Sequence, residues 1–154
     1  MTLEIELPDE DASNQLATVL AACLQAPAVI TFAGEIGAGK TTLIRAMLRA
    51  LGVTSAIKSP TFSLVESYQI KNLHIHHFDL YRIQDEAELE YIGFRDYFND
   101  SAVCCLEWPE RAVYSLAETD LRLALTMQGN GRLLKIDAAS AIGEKILACL
   151  VSKQ

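Results

Sequence analysis

Between Val29 and Leu51 the chain reads VITFAGEIGAGKTTLIRAMLRAL, and its middle carries Gly34-Glu35-Ile36-Gly37-Ala38-Gly39-Lys40-Thr41, the pattern G-x-x-x-x-G-K-[ST]. Glycines let the backbone curl until successive N–H groups point at one anion, and a following helix adds the positive end of its dipole. Such a loop is a phosphate cradle. In it Glu35, Gly37, Ala38 and Gly39 form the wall, Lys40 reaches the outer phosphates, and Thr41 offers its hydroxyl to Mg²⁺. Thr42 is the next hydroxyl along, near an inner phosphate. ATP or ADP with Mg²⁺ is the expected ligand.

Hydrolysis or phosphoryl transfer needs more than a cradle: an acid to serve the metal and a group to orient the attacking oxygen. Glu107 ends the apolar run Ser101 to Glu107, so it is expected at the carboxyl edge of a sheet beside the loop. It is predicted to serve the metal directly, to act through water, or to orient the attacking water. Asp79, in His76-His77-Phe78-Asp79-Leu80-Tyr81-Arg82, is the second acid. Strand alternation puts His77, Asp79 and Tyr81 on one face and His76, Phe78 and Leu80 on the other. A zinc site from His74, His76 and Asp79 is the weaker reading of that cluster. Lys40, Asp79 and Glu107 are the candidate catalytic residues, with Thr41 and Glu107 the candidate metal ligands. Thr61, in Ser59-Pro60-Thr61-Phe62, is either a hydroxyl near the γ-phosphate or part of an ordinary turn. No Asn-Lys-x-Asp run follows a strand, which favours adenine over guanine. The base pocket is expected between Pro8 to Asp11 and Arg132.

The elements that must position these residues follow from periodicity and punctuation. Leu3, Ile5 and Leu7 alternate with Glu4 and Glu6 as a half-buried strand, and Asp11 to Gln25 reads as a helix. Val29 to Phe32 is the strand before the loop, and Gly52 stops the helix after it. Phe62 to Ile70 and Leu73 to Leu80 predict one hairpin, and Leu121 to Met127 with Leu133 to Asp137 predict another. Asp85 to Tyr91 and Ala141 to Val151 read as helices, while Ser101 to Glu107 has the unbroken apolarity of a strand buried on both faces. The sum is an α/β chain with a P-loop NTPase fold: a central, mostly parallel sheet with antiparallel hairpins, helices on both faces, and a single domain over residues 1–154.

Composition narrows the function. The 154 residues are 51% hydrophobic and 21% charged with a net charge of −7, which argues against a broad nucleic-acid-binding face. No basic, apolar leader opens the sequence and no run reaches membrane-spanning length, so a cytoplasmic protein without membrane contact is expected. Cys23, Cys104, Cys105 and Cys149 are scattered, and the expectation is small buried side chains without disulfides.

These motifs together resemble the TsaE (YjeE) family of small bacterial P-loop ATPases. The resemblance rests on Gly34 to Thr42, Ser59 to Phe62, His77 to Arg82, Glu88 to Phe98 and Cys105 to Glu110, in the family's order over nearly the whole chain. It implies that Lys40, Thr41 and Thr42 bind phosphates and Mg²⁺, that Glu107 serves the metal, and that Asp79 and Trp108 belong to the working site. It also implies an ATP-hydrolysing accessory role in forming N6-threonylcarbamoyladenosine at position 37 of tRNAs that read ANN codons. The implied partners are the TsaD and TsaB proteins, with tRNA met only through their complex. A nucleotide-switched binding module and a small-molecule kinase are the alternative functions.

Overall fold

The structure is a computed structural model describing residues 1–116 and 118–154. In chain order the elements are β1 (Thr2–Leu7), α1 (Glu10–Cys23), β2 (Ala28–Ala33), α2 (Lys40–Leu51), β3 (Val65–Ile70), β4 (Leu73–Asp79), α3 (Glu88–Tyr91), β5 (Ala102–Glu107), β6 (Leu121–Gln128), β7 (Gly131–Ala138) and α4 (Ala141–Lys153). Short 3₁₀ turns cover Phe94–Tyr97 and Pro109–Ala112. All strands join one seven-stranded sheet in the order β1-β7-β6-β2-β5-β4-β3.

The sheet is mixed rather than mostly parallel. β6-β2-β5-β4 pair in parallel at its centre, while β3 on one side and β7 and β1 on the other pair antiparallel. Hairpins cause this, because a two-residue connection such as Lys71-Asn72 can only return the chain antiparallel. Every residue of β5 is buried, as its apolar run predicts, and β2 lies beside it with Phe32 opposite Glu107. The glycine loop that leaves β2 therefore starts next to the acid that ends β5.

Coverage of the two faces is unequal, which modifies the expectation of helices on both. Buried side chains of α1, α2 and α4 join one cluster with Ile30, Phe32, Ile75, Val103 and Leu123. The other face is covered by α3 and the 3₁₀ turns, through Leu89, Phe94 and Ala112 packed on Phe78, Cys104 and Leu106. Asp85 to Tyr91 yields only the four residues of α3. Upstream of it the Glu88 carboxylate accepts from the amides of Gln84 and Asp85 at 2.9 and 3.0 Å, so the first turn is spent on capping. The first hairpin strand likewise begins at Val65 rather than Phe62, since Leu64 takes a left-handed φ of 69° and donates to the Pro60 carbonyl.

Local chemistry explains the main helices. Asp9 caps α1 by accepting from Ala12 N at 2.9 Å, and Gly52 ends α2 with φ 111°. Ser140 caps α4 and donates to the buried Asp120, whose second oxygen accepts from Val29 N at 2.7 Å. One carboxylate thus joins the starts of β2, β6 and α4. Cys23 and Cys149 form a disulfide, contrary to the sequence expectation: α1 and α4 lie side by side and bring their Cα atoms to 5.8 Å.

Candidate functional site

The loop between β2 and α2 is built by glycine geometry. Gly34 has φ +145°, and a Cβ there would lie 2.5 Å from the Leu125 carbonyl oxygen. Gly39 caps α2 in a left-handed conformation with φ 101° and supplies no side-chain acceptor. The first amides of α2, starting at Lys40, lack intrahelical acceptors and carry the positive end of the helix dipole. Ala38 N donates to the Glu35 carbonyl at 3.0 Å and tightens the curl.

Arg132 holds this loop by its carbonyls. Its Nε donates to the Ala38 carbonyl at 2.9 Å and its Nη2 to the Gly37 carbonyl at 3.1 Å. Since C=O and N–H point oppositely across a peptide plane, fixing the Ala38 carbonyl on Arg132 turns the Gly39 amide away from the guanidinium.

Inside the curl, Lys40 is buried and its Nζ donates to the Gly34 carbonyl while lying 3.5 Å from the centre of the Trp108 ring. Burial holds its pKa below the usual lysine value, and the carboxylates of Glu107, Glu110 and Asp79 offset only part of that. Trp108 reaches Lys40 because it adopts φ +60° directly after β5, an arrangement that costs a non-glycine residue about 1 kcal/mol or more. The Tyr81 ring lies 4.9 Å from it.

Glu107 is 2% exposed at the end of β5. The Thr41 hydroxyl lies 2.8 and 2.9 Å from its two oxygens, and His77 Nε2 is 2.6 Å from Oε2. Asp79 ends the neighbouring parallel strand in register with Glu107. It accepts from Tyr81 N at 3.1 Å and from the Thr61 hydroxyl at 3.2 Å, and Thr61 in turn pairs with Ser59 at 2.7 Å.

Lys40, Thr41, Asp79, Glu107 and Trp108 therefore line one cavity of about 410 Å³, with Gly37, Gly39, Thr42 and Arg132 in its wall. Glu35 is exposed and meets the loop through its carbonyl, and Ala38 is buried behind it. A second cavity of about 320 Å³ continues past Gly39, Thr42 and Arg132 toward Leu7, Asp9, Glu10, Ser13 and Asn130. A larger one, about 690 Å³, opens at the opposite edge of the sheet around Val29, Arg95, Phe98 and Tyr114, and none of the chemistry-bearing residues reaches it.

A family model described as Threonylcarbamoyl adenosine biosynthesis protein TsaE matches residues 7–134. The chain belongs to the TsaE family. A relative named tRNA threonylcarbamoyladenosine biosynthesis protein TsaE from Haemophilus influenzae is 43% identical over 115 residues, covering 75% of this chain and 73% of its own. The protein of the same name from Bacillus subtilis is 32% identical over 123 residues, covering 80% and 75%. The crystal structure of Bacillus subtilis YdiB shares the fold, with a TM-score of 0.85 at 23% identity over 99% of this chain and 96% of that one. The segment matched by the TsaE family contains every site residue from Glu35 to Arg132 and leaves out α4.

Two features of this TsaE-family site escaped the sequence. Alternation placed His77 beside Asp79 on one face, but only the pairing of β4 with β5 aims it at Glu107. The grip of Arg132 on the loop carbonyls joins residues 94 and 95 positions apart, which no local pattern encodes.

Proposed function

We propose that residues 1–154 act as one P-loop ATPase domain, an accessory to the cytoplasmic assembly that forms N6-threonylcarbamoyladenosine at position 37 of tRNAs reading ANN codons. The observation that carries this reading is the contact between the Thr41 hydroxyl and the buried Glu107 carboxylate, beside Lys40 at the start of α2. A hydroxyl donating to a carboxylate keeps its own lone pairs free for a hard cation, and a lysine and an acid next to a glycine curl suit a triphosphate. Thr41 and Glu107 would hold Mg²⁺, with Asp79 near them, and the curl with Lys40 and Thr42 would take the phosphates of ATP or ADP. When bound, Mg²⁺ neutralises charge on the phosphate oxygens.

The chain's own residues do the rest. Lys40 places a cation where outer-phosphate charge collects, Arg132 fixes the Gly37 and Ala38 peptides of the loop, and Asp79 ties the Ser59–Thr61 segment to the sheet. The cavity between Asp9 and Arg132 is the candidate base pocket. Ile36 and Phe62 stand exposed beside the mouth, an apolar rim that supports contact with protein partners, TsaD and TsaB, with tRNA reached only through them. A pull-down with TsaD and TsaB in ATP, in ADP and without nucleotide tests the proposal, together with ATP hydrolysis by the mixture. Nucleotide-dependent capture with hydrolysis supports it. Failure to bind Mg²⁺-ATP alone or with those proteins overturns it. Single-turnover measurements distinguish a hydrolysing accessory from a module that only switches.

A further inference from the structure

We infer that His77 is a positioning residue that fixes the Glu107 carboxylate for the metal-bearing hydroxyl of Thr41. The inference rests on the nucleotide reading above and deepens it. The donors and acceptors fit an ionised Glu107. Glu107 offers two oxygens, Thr41 has a single O–H, and His77 Nε2 sits 2.6 Å from Oε2. An ionised carboxylate only accepts, so Nε2 carries the proton and donates to Oε2, while the Thr41 hydroxyl, 2.8 Å from Oε1 and 2.9 Å from Oε2, donates to the same carboxylate. The carboxylate is then held from two elements, by β4 through the ring and by α2 through the hydroxyl. Thr41 keeps its lone pairs directed away from the acid.

Packing alone does not explain a histidine here. The ring is wholly buried, and its Nδ1 has no hydrogen-bond partner among the described residues. A leucine would fill the same space between β4 and the helices without burying an unpaired nitrogen. What a leucine cannot do is donate to Glu107. Without that donor, Oε2 would be free to turn toward the Lys40 ammonium, and Thr41 would lose its fixed acceptor.

The Gln and Asn variants separate this role from bulk and polarity. The amide nitrogen of Gln in His77→Gln reaches the position of Nε2, whereas that of Asn in His77→Asn reaches only that of Nδ1. With both variants shown folded by circular dichroism and melting, His77→Asn is expected to raise the Mg²⁺ concentration for half-maximal ATP turnover about tenfold and lower kcat by about 10- to 100-fold. Its affinity for ADP without metal stays within about twofold, and His77→Gln restores turnover to within about threefold of the parent. Wild-type Mg²⁺ dependence in His77→Asn, or equal losses in both variants, overturns the inference. Nitrogen-15 imidazole spectra of the nucleotide-free protein give a readout apart from activity. They should show His77 with a proton on Nε2, displaced in Glu107→Ala, and a ring protonated on Nδ1 alone overturns the inference. If the parent protein binds no Mg²⁺-nucleotide, the proposed function fails while these spectra still decide whether His77 holds Glu107.

Discussion

At the scale of single residues, the site concentrates charge where water is scarce. Lys40→Ala removes the one ammonium inside the curl, and it should weaken ATP binding and lower hydrolysis by about 100-fold or more, measured by calorimetry and phosphate release. Glu107→Ala should abolish hydrolysis while nucleotide still binds; wild-type turnover in that variant would mean the acid is wrongly assigned. Elsewhere in the core, burial pushes the Cys104 thiol from 9.0 up to about 12 and moves Cys105 the same way. Below pH 9 the folded and unfolded chains both keep these protons. Above it only the unfolded chain releases them, so stability falls with rising pH, by about 1.4 kcal/mol per unit for each thiol. Urea midpoints between pH 8 and 10 should decline, and less steeply in Cys104→Ala. The residues of the cradle were legible because their chemistry lies within eight consecutive positions. His77 was not, since its partner is 30 residues away on another strand.

Elements show the same division between what is local and what is not. β5 and the two hairpins were readable from apolar runs and alternation, which depend on neighbours only. The brevity of α3 was not, because Glu88 turns back to cap upstream amides instead of extending the helix. Nor was the mixed order of the sheet, which follows from where each hairpin joins the parallel centre. α4 meets the sheet through Gly143, where a Cβ would lie 1.7 Å from the Asp120 carbonyl oxygen. Gly143→Ala must push the helix off that carbonyl, at a cost of about 2–3 kcal/mol, and should lower Tm by roughly 6 °C or more. An unchanged melting curve would show that α4 is free to shift.

Across the whole molecule, three long helices and one sheet face form the larger core, and a covalent tie joins two of those helices. The Cys23–Cys149 bond spans 126 residues, and in the chain-entropy description such a loop contributes about 4–5 kcal/mol. Reductant should therefore lower Tm by roughly 10 °C, and Cys149→Ser should melt at that lower temperature with or without reductant. Equal melting of both proteins in both conditions would mean the bond does not form in solution. Scattered cysteines cannot announce such a pair, because their proximity is a property of helix packing.

Trp108 is the sole tryptophan of the chain, and its ring lies against the Lys40 ammonium. Any phosphate drawn into the curl would pull that cation from the indole and change what quenches it. The unlabelled protein thus carries its own optical gauge of occupancy, with an emission signal free of competing indoles that can be followed in stopped flow as ligand arrives and leaves.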